Sequence, residues 1–287
     1  MFRNLIVSTR PKQWYKNSLI FVGIVYSANI LNVSMWATIV LAFVYFCMLS
    51  AGEYLINDIL DKERDRRHPV KRKRPIASEQ LKVSHALLFA LLLIVLALLG
   101  SYLTINIVFL VCAASYALLF LLYSLVLQYL IITDVLVISI GFVIRATAGC
   151  LAINLFPSSW LILCVFLLAL FLTLEKRRHD LVILSDEAET HRTSLSGFST
   201  KMLEQLIGIT IAALITSYML YTYFSEFDGM LLTVPFVIYG LFRYLYLVHE
   251  KGVGPEPELV FKDKAMLINL GIWVLVVASI ILYGTRV

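Results

Sequence analysis

The sequence predicts an all-α polytopic membrane protein with about nine transmembrane helices, and three observations predict it. Of its 287 residues, 60% are hydrophobic and only 15% charged, whereas soluble domains carry about 25% charged residues. The mean hydropathy is +0.87. Apolar runs near the ~20 residues that cross a bilayer recur along the whole chain, at 17–33, 35–56, 83–103, 106–127, 131–152, 158–175, 203–224, 230–248 and 265–284. No soluble domain, low-complexity linker or repeat interrupts them, so a single transmembrane domain over residues 1–287 is expected. The N-terminus starts charged and its first apolar run exceeds signal-peptide length, so no cleavable leader is expected.

The basic residues orient the spans. With nine spans and the N-terminus inside, the cytoplasmic segments are the N-terminal arm and the loops after spans two, four, six and eight. They hold four, nine, none, five and three Lys or Arg, which is 21 of the 24 in the chain. This asymmetry places the N-terminus in the cytoplasm and the C-terminus outside. The net charge of +5 is thereby accounted for by topology, and no nucleic-acid partner is expected. Cys47, Cys112, Cys150 and Cys164 all fall inside apolar spans, so neither a disulfide framework nor a cysteine metal site is expected.

The stretch NDILDKERDRRHPVKRKRP (57–75) follows directly on the second span. If that helix runs on into the cytoplasm, at about 100° per residue Asn57, Asp58, Asp61 and Asp65 share one face. Lone carboxylates so placed repel one another and resist ionisation. A hard divalent cation removes both problems, and Mg²⁺ takes oxygen ligands, keeps waters and is completed by substrate phosphates. The competing reading is a solvated helix end whose acids pair with Arg64 and Arg66. The chosen expectation is a Mg²⁺ site on Asp58 and Asp61 first, then Asp65, with Asn57 as an orienting or coordinating amide.

N-D-x-x-D-x-x-x-D after the second span, followed by R-P-I, resembles the UbiA-type intramembrane prenyltransferase superfamily. RPKQWYKN (10–17), HPVKRKRPIAS (68–78), VIRATAG (143–149), LEKRRHDL (174–181), TVPFVIYGLFRYLYLVHEKG (233–252) and ELVFKDK (258–264) are together similar to its decaprenyl-phosphate phosphoribosyltransferase branch. The resemblance implies nine helices around a central cavity open to lipid. It also implies Mg²⁺-dependent transfer of 5-phosphoribosyl from phosphoribosyl pyrophosphate to a polyprenyl phosphate, for cell-envelope glycan synthesis. It implies substrate-binding roles for Arg74 and Tyr244, within two of the matching stretches. Ordinary aromatic prenyltransferases of the superfamily carry a second aspartate-rich motif in the loop between spans six and seven. Here that place reads E-K-R-R-H-D, and the branch implies Glu where Asp180 stands and Gly where Glu79 stands.

A basic cluster suits such a donor on chemical grounds. Phosphoribosyl pyrophosphate carries a 5-phosphate apart from its diphosphate, and the acceptor adds another phosphate, so Lys and Arg are needed beside the metal. Lys176 and Arg177 are the expected ligands, although a topogenic basic run accounts for them too. Arg145 and Arg243 lie inside spans, where charge faces a cavity or a partner. Arg145 is expected to meet Glu53, Asp61 or a ligand phosphate, and Arg243 to bind substrate or to snorkel. In the N-terminal arm, Lys12, Lys16 and Asn17 read either as membrane anchors or as phosphate ligands. The alternative enzyme moves a prenyl group from a prenyl diphosphate to an aromatic or quinone-precursor acceptor. A transporter is disfavoured, because no inverted repeat is visible and the charge sits at the surface. The site faces the cytoplasm of a cell membrane in this reading, and homo-oligomerisation is left open.

Overall fold

The computed structural model describes residues 2–26, 31–183, 197–250 and 263–283. Among them every regular element is helical: α1 (Phe2–Ser8), a 3-10 segment (Pro11–Phe21), α2 (Val22–Tyr26), α3 (Val33–Leu60), α4 (Lys62–Arg67), α5 (Val83–Thr104), α6 (Ile107–Leu125), α7 (Thr133–Ala152), α8 (Ser159–Ile183), α9 (Thr200–Tyr223), α10 (Val234–His249) and α11 (Lys264–Tyr283). Eight helical segments in the described residues are long and apolar enough to cross a membrane. They correspond to the second to ninth expected spans.

The first expected span, 17–33, is built differently. Its first part belongs to the 3-10 segment and α2, and residues 27–30 lie outside the described ones. A 3-10 repeat of three lines up Trp14, Asn17 and Ile20, of which Asn17 and Ile20 are buried. That face lies against α7 at Gly149, where an added Cβ would come 2.0 Å from the Ile20 carbonyl oxygen. Only a glycine lets the two backbones approach so closely.

The described residues pack as two compact units, one within 2–157 and one from 158 onward. The core of the first gathers Ile20, Ile24, Phe46, Phe109 and Tyr116, with Phe46 ring centroids 5.7 Å from Phe109 and 5.1 Å from Tyr116. Small residues let α3 and α5 meet: Gly52 faces the Ala90 carbonyl, and Ala86, Ala90 and Ala97 are wholly buried. Such seams hold helices together where lipid removes the hydrophobic drive between them. The opposite face of α5 exposes Leu88, Leu91, Leu92, Val95 and Leu99, a surface suited to hydrocarbon. Asn32 caps α3 by accepting from the amides of Ser34 and Met35. Asn106 caps α6 and also donates to the Leu151 carbonyl at 2.9 Å.

In the second unit, Trp273 donates to the Tyr218 hydroxyl at 3.1 Å, and that hydroxyl meets Thr233 at 2.8 Å. Asp263 caps α11 through the Met266 amide at 2.8 Å. The four cysteines are free thiols.

Candidate functional site: an acidic helix end and a buried arginine

The α3 helix stops at Leu60, and Asp61 leaves the helical path with φ −87° and ψ 2° before α4 begins. The regular helix pauses at Asp61, although its amide still bonds the Asn57 carbonyl at 2.9 Å and its carbonyl accepts from the Asp65 amide at 2.8 Å. Asp58, Asp61 and Asp65 are all buried, at 2%, 7% and 1% exposure, but they do not converge as three. Arg74 Nη1 donates to Asp58 Oδ1 at 3.0 Å and to Asp65 Oδ2 at 2.6 Å, so one nitrogen joins these two carboxylates. Arg10 Nη2 pairs with the same Asp58 oxygen. Asp61 turns instead to Arg64 at 2.7 Å and to the Asn57 amide at 3.0 Å.

Among the described residues no three His, Cys, Asp or Glu side chains form a ready-made metal cage. The donor set nevertheless fits Mg²⁺, which is ordinarily held by one or two carboxylates, waters and substrate phosphates. Asp58 and Asp65 offer two buried carboxylates beside each other, with oxygen donors only, and Asn57 and Asp61 flank them. The loop beyond carries Glu79 at φ 62°, the left-handed region that favours glycine.

Deeper in the same unit, Arg145 is 4% exposed. Its Nε donates to Asn17 Oδ1 at 2.7 Å, and its Nη2 donates to the Tyr116 hydroxyl. The guanidinium lies 4.6 Å from the Tyr116 ring centroid and 5.1 Å from that of Phe142. Ser50 closes the cluster by donating to Asn17 Oδ1 at 3.3 Å and meeting Tyr116 at 3.1 Å. Asn17 is thus a buried partner of Arg145 and not a residue at the mouth of a span, whereas Lys12 is exposed and Lys16 half-buried. Of the partners expected for Arg145, Asp61 is engaged elsewhere; Glu53 is buried nearby, subject to the charge of Arg145, with Oε1 lacking a hydrogen-bond partner.

In the second unit Arg177 is buried and donates to Asp180 at 3.5 Å, while Lys176 is exposed. Arg178 donates to Glu175 at 3.2 Å, and His249 meets the same carboxylate at 3.1 Å. Arg243 forks onto Asp263 at 2.8 and 3.2 Å. Tyr244 is buried edge-on to Phe171, ring centroids 5.5 Å apart. Sequence reasoning missed Arg10, Tyr116, Ser50 and the Glu175–His249 contact. Polar residues inside apolar runs were the available signal for Ser50, Tyr116 and Glu175.

The sequence profile of the UbiA prenyltransferase family matches residues 18–262. The chain belongs to the UbiA prenyltransferase family. This UbiA protein is accordingly a membrane transferase. Decaprenyl-phosphate phosphoribosyltransferase of Mycolicibacterium smegmatis is 30% identical to it, covering 98% of this chain and 93% of the relative. The protein of the same name from Corynebacterium glutamicum is 31% identical over 94% and 84%. A UbiA homologue from Archaeoglobus fulgidus bound to GPP and Mg²⁺ superposes with a TM-score of 0.77 at 17% identity, covering 97% of this chain and 99% of that one. That last likeness speaks for the fold.

Proposed function

We propose that this UbiA protein transfers 5-phosphoribosyl from phosphoribosyl pyrophosphate to a polyprenyl phosphate and releases pyrophosphate. The lipid-linked phosphoribose then feeds cell-envelope glycan synthesis. The observation that carries the reading is the near-full-length similarity to two decaprenyl-phosphate phosphoribosyltransferases. Two features of the chain support it. The Asp58 and Asp65 pair lies beside Arg74 and Arg10, which suits a diphosphate held with a divalent cation. The place of a second aspartate-rich motif is basic, at Lys176, Arg177 and Arg178, which suits a donor with a further phosphate.

In this reading residues 1–287 form one catalytic domain, and Asp58 and Asp65 would hold Mg²⁺, flanked by Asp61 and Asn57. When bound, the cation neutralises charge on the departing pyrophosphate. Arg74 donates to the diphosphate, and Lys16 serves the acceptor phosphate. The acceptor oxygen forms a bond to ribose C1 as the C1–oxygen bond to pyrophosphate breaks, and the pyrophosphate leaves with the electron pair. Attack from the opposite face inverts the anomeric centre. The nucleophile is already ionised, so no strong base is needed, and positioning with charge stabilisation supplies the catalysis. The donor is a charged metabolite that does not cross hydrocarbon, so the site faces the cytoplasm, in keeping with the count of basic residues.

The test is incubation of purified protein with radiolabelled phosphoribosyl pyrophosphate and polyprenyl phosphate, beside a parallel reaction with a prenyl diphosphate and an aromatic acceptor. Labelled lipid in the first alone is expected. Turnover only in the second would replace this reading with the prenyltransferase one.

A further inference from the structure

Arg10 lies where neither hydropathy nor charge counting puts a functional residue. Its backbone is left-handed, at φ 50° and ψ 61°, directly before Pro11. A proline disfavours compact backbone at the residue preceding it, and a β-carbon makes the left-handed region costly. Such conformations persist where surroundings over-determine them, and they cluster at functional sites. The surroundings are on view: the Arg10 amide donates to Val7, its carbonyl accepts from Gln13 at 2.8 Å, and Trp14 Nε1 ties down the Thr9 carbonyl at 3.1 Å. The guanidinium lies 4.8 Å from the Tyr54 ring centroid. All this delivers it to the Asp58 oxygen that Arg74 also engages.

The burial of the partners is unequal. The carboxylates of Asp58 and Asp65 are 3% and 2% exposed, whereas the side chains of Arg10 and Arg74 are 29% and 26% exposed. A phosphate arriving from water meets the two guanidiniums first, and the acids behind them carry the compensating charge. Two guanidiniums and a divalent cation compete for the same few carboxylate lone pairs. A pyrophosphate offers the arginines a charge-assisted, bidentate alternative.

We propose that Arg10, with Arg74, is an exchange ligand. It engages Asp58 until the donor's pyrophosphate draws it away, which frees the carboxylate for the cation. Cation and donor then bind with positive coupling, and Arg10 is a donor-binding residue. This rests on the reading of the acidic helix end as the cation and pyrophosphate site.

The full chain in detergent is titrated with Mn²⁺ alone, followed by loss of the free-ion spin-resonance signal. Pyrophosphate is then titrated calorimetrically at saturating Mn²⁺. Arg10→Ala is expected to tighten Mn²⁺ binding about tenfold and to weaken pyrophosphate about tenfold, inside the range of ordinary site coupling. Arg10→Gln is expected to do the same and serves if the alanine variant does not fold, while Lys82→Ala leaves both affinities unchanged. A plain structural strut would weaken both ligands on removal, and that result, or an unchanged Mn²⁺ affinity, overturns the exchange. Asp58→Asn separates the two levels of the argument. If wild type and Asp58→Asn bind Mn²⁺ alike, the cation site itself is misplaced and the exchange falls with it.

Discussion

Arg145 Nε donates to Asn17 Oδ1 at 2.7 Å across 128 positions of sequence, and this bond ties the 3-10 segment to α7 inside the first unit. Removing the guanidinium leaves Asn17 and the Tyr116 hydroxyl without their charged donor. Arg145→Ala is expected to cost about 3–5 kcal/mol, the scale for breaking a buried charged network. Arg145→Lys is not expected to rescue it, because only the planar fork serves both partners. Thermal unfolding in detergent measures both. Intact stability with only a raised donor KM would make Arg145 a substrate ligand instead.

Gly149→Ala tests the closest backbone approach in that unit. The new methyl would meet the Ile20 carbonyl at 2.0 Å, and neither backbone has a side chain to swing aside. A loss of about 1–3 kcal/mol, typical of overpacking, is expected in the same assay. Gly208→Ala, which meets nothing within 4 Å, is the matched control.

The acids rank by their partners. Asp58 and Asp65 share Arg74, whereas Asp61 is taken up by Arg64 and Asn57. Asp58→Ala and Asp65→Ala are each expected to lower turnover by about 10² or more, the scale of removing one preorganised electrostatic group. Asp61→Ala is expected to lower it less. Initial rates at saturating Mg²⁺, with helicity checked by circular dichroism, decide the order; equal losses would restore the three-carboxylate site expected from the wheel.

Asp263 carries a pH signature. The Arg243 guanidinium first, and the Met266 amide second, hold its carboxyl below the usual carboxylate range. A depressed folded value means its stabilisation is present above about pH 3.9, the unfolded reference, and is lost as pH falls through the folded value. Asp263→Asn is therefore expected to lower the melting temperature at pH 7 and to converge with wild type in acid. A constant difference across that range would contradict the assignment.

Orientation is open to direct test. In a background lacking Cys47, Cys112, Cys150 and Cys164, a cysteine replacing Glu79 should resist impermeant thiol reagents in intact cells. One replacing Asp228 should label. Both positions are exposed in the structure, so access to the reagent depends on the side of the membrane alone. Labelling at position 79 from outside would invert the topology.

Hydropathy carried the helices well. The run read as 83–103 is α5, Val83–Thr104, and that read as 265–284 is α11, Lys264–Tyr283. Lipid demands long apolar helices, so length and composition nearly suffice. They do not distinguish a 3-10 segment from an α-helix, because both satisfy apolar spacing, and the contact at Gly149 that accompanies it is tertiary. The wheel grouped Asp61 with its neighbours, and Asn57 does meet it one turn on, but a wheel does not show that Arg64 takes up its carboxylate. Arg145 was matched against Glu53, Asp61 or a ligand phosphate; Glu53 is buried nearby and subject to its charge, but a neutral amide and a phenol make its hydrogen bonds. Charge searches overlook such acceptors. Arg10 was hidden among topogenic basic residues, since nothing local marks a left-handed backbone at an arginine.

The 3-10 segment also acts as a ruler. Such a helix rises about 2.0 Å per residue against 1.5 Å in an α-helix. The eleven residues from Pro11 to Phe21 thus extend roughly 22 Å, and α2 adds about 8 Å, close to the ~30 Å thickness of bilayer hydrocarbon. One end is pinned where Ile20 meets Gly149 and the other where Arg10 meets Asp58. If these residues wound into α-helix, the distance between the pins would shrink by about 5 Å. Arg10 would then be drawn off its carboxylate with no residue replaced. The winding of the ten residues from Pro11 to Ile20 therefore sets the length of the arm that reaches the acids, and a variant that only changes winding is a way to uncouple the two ends.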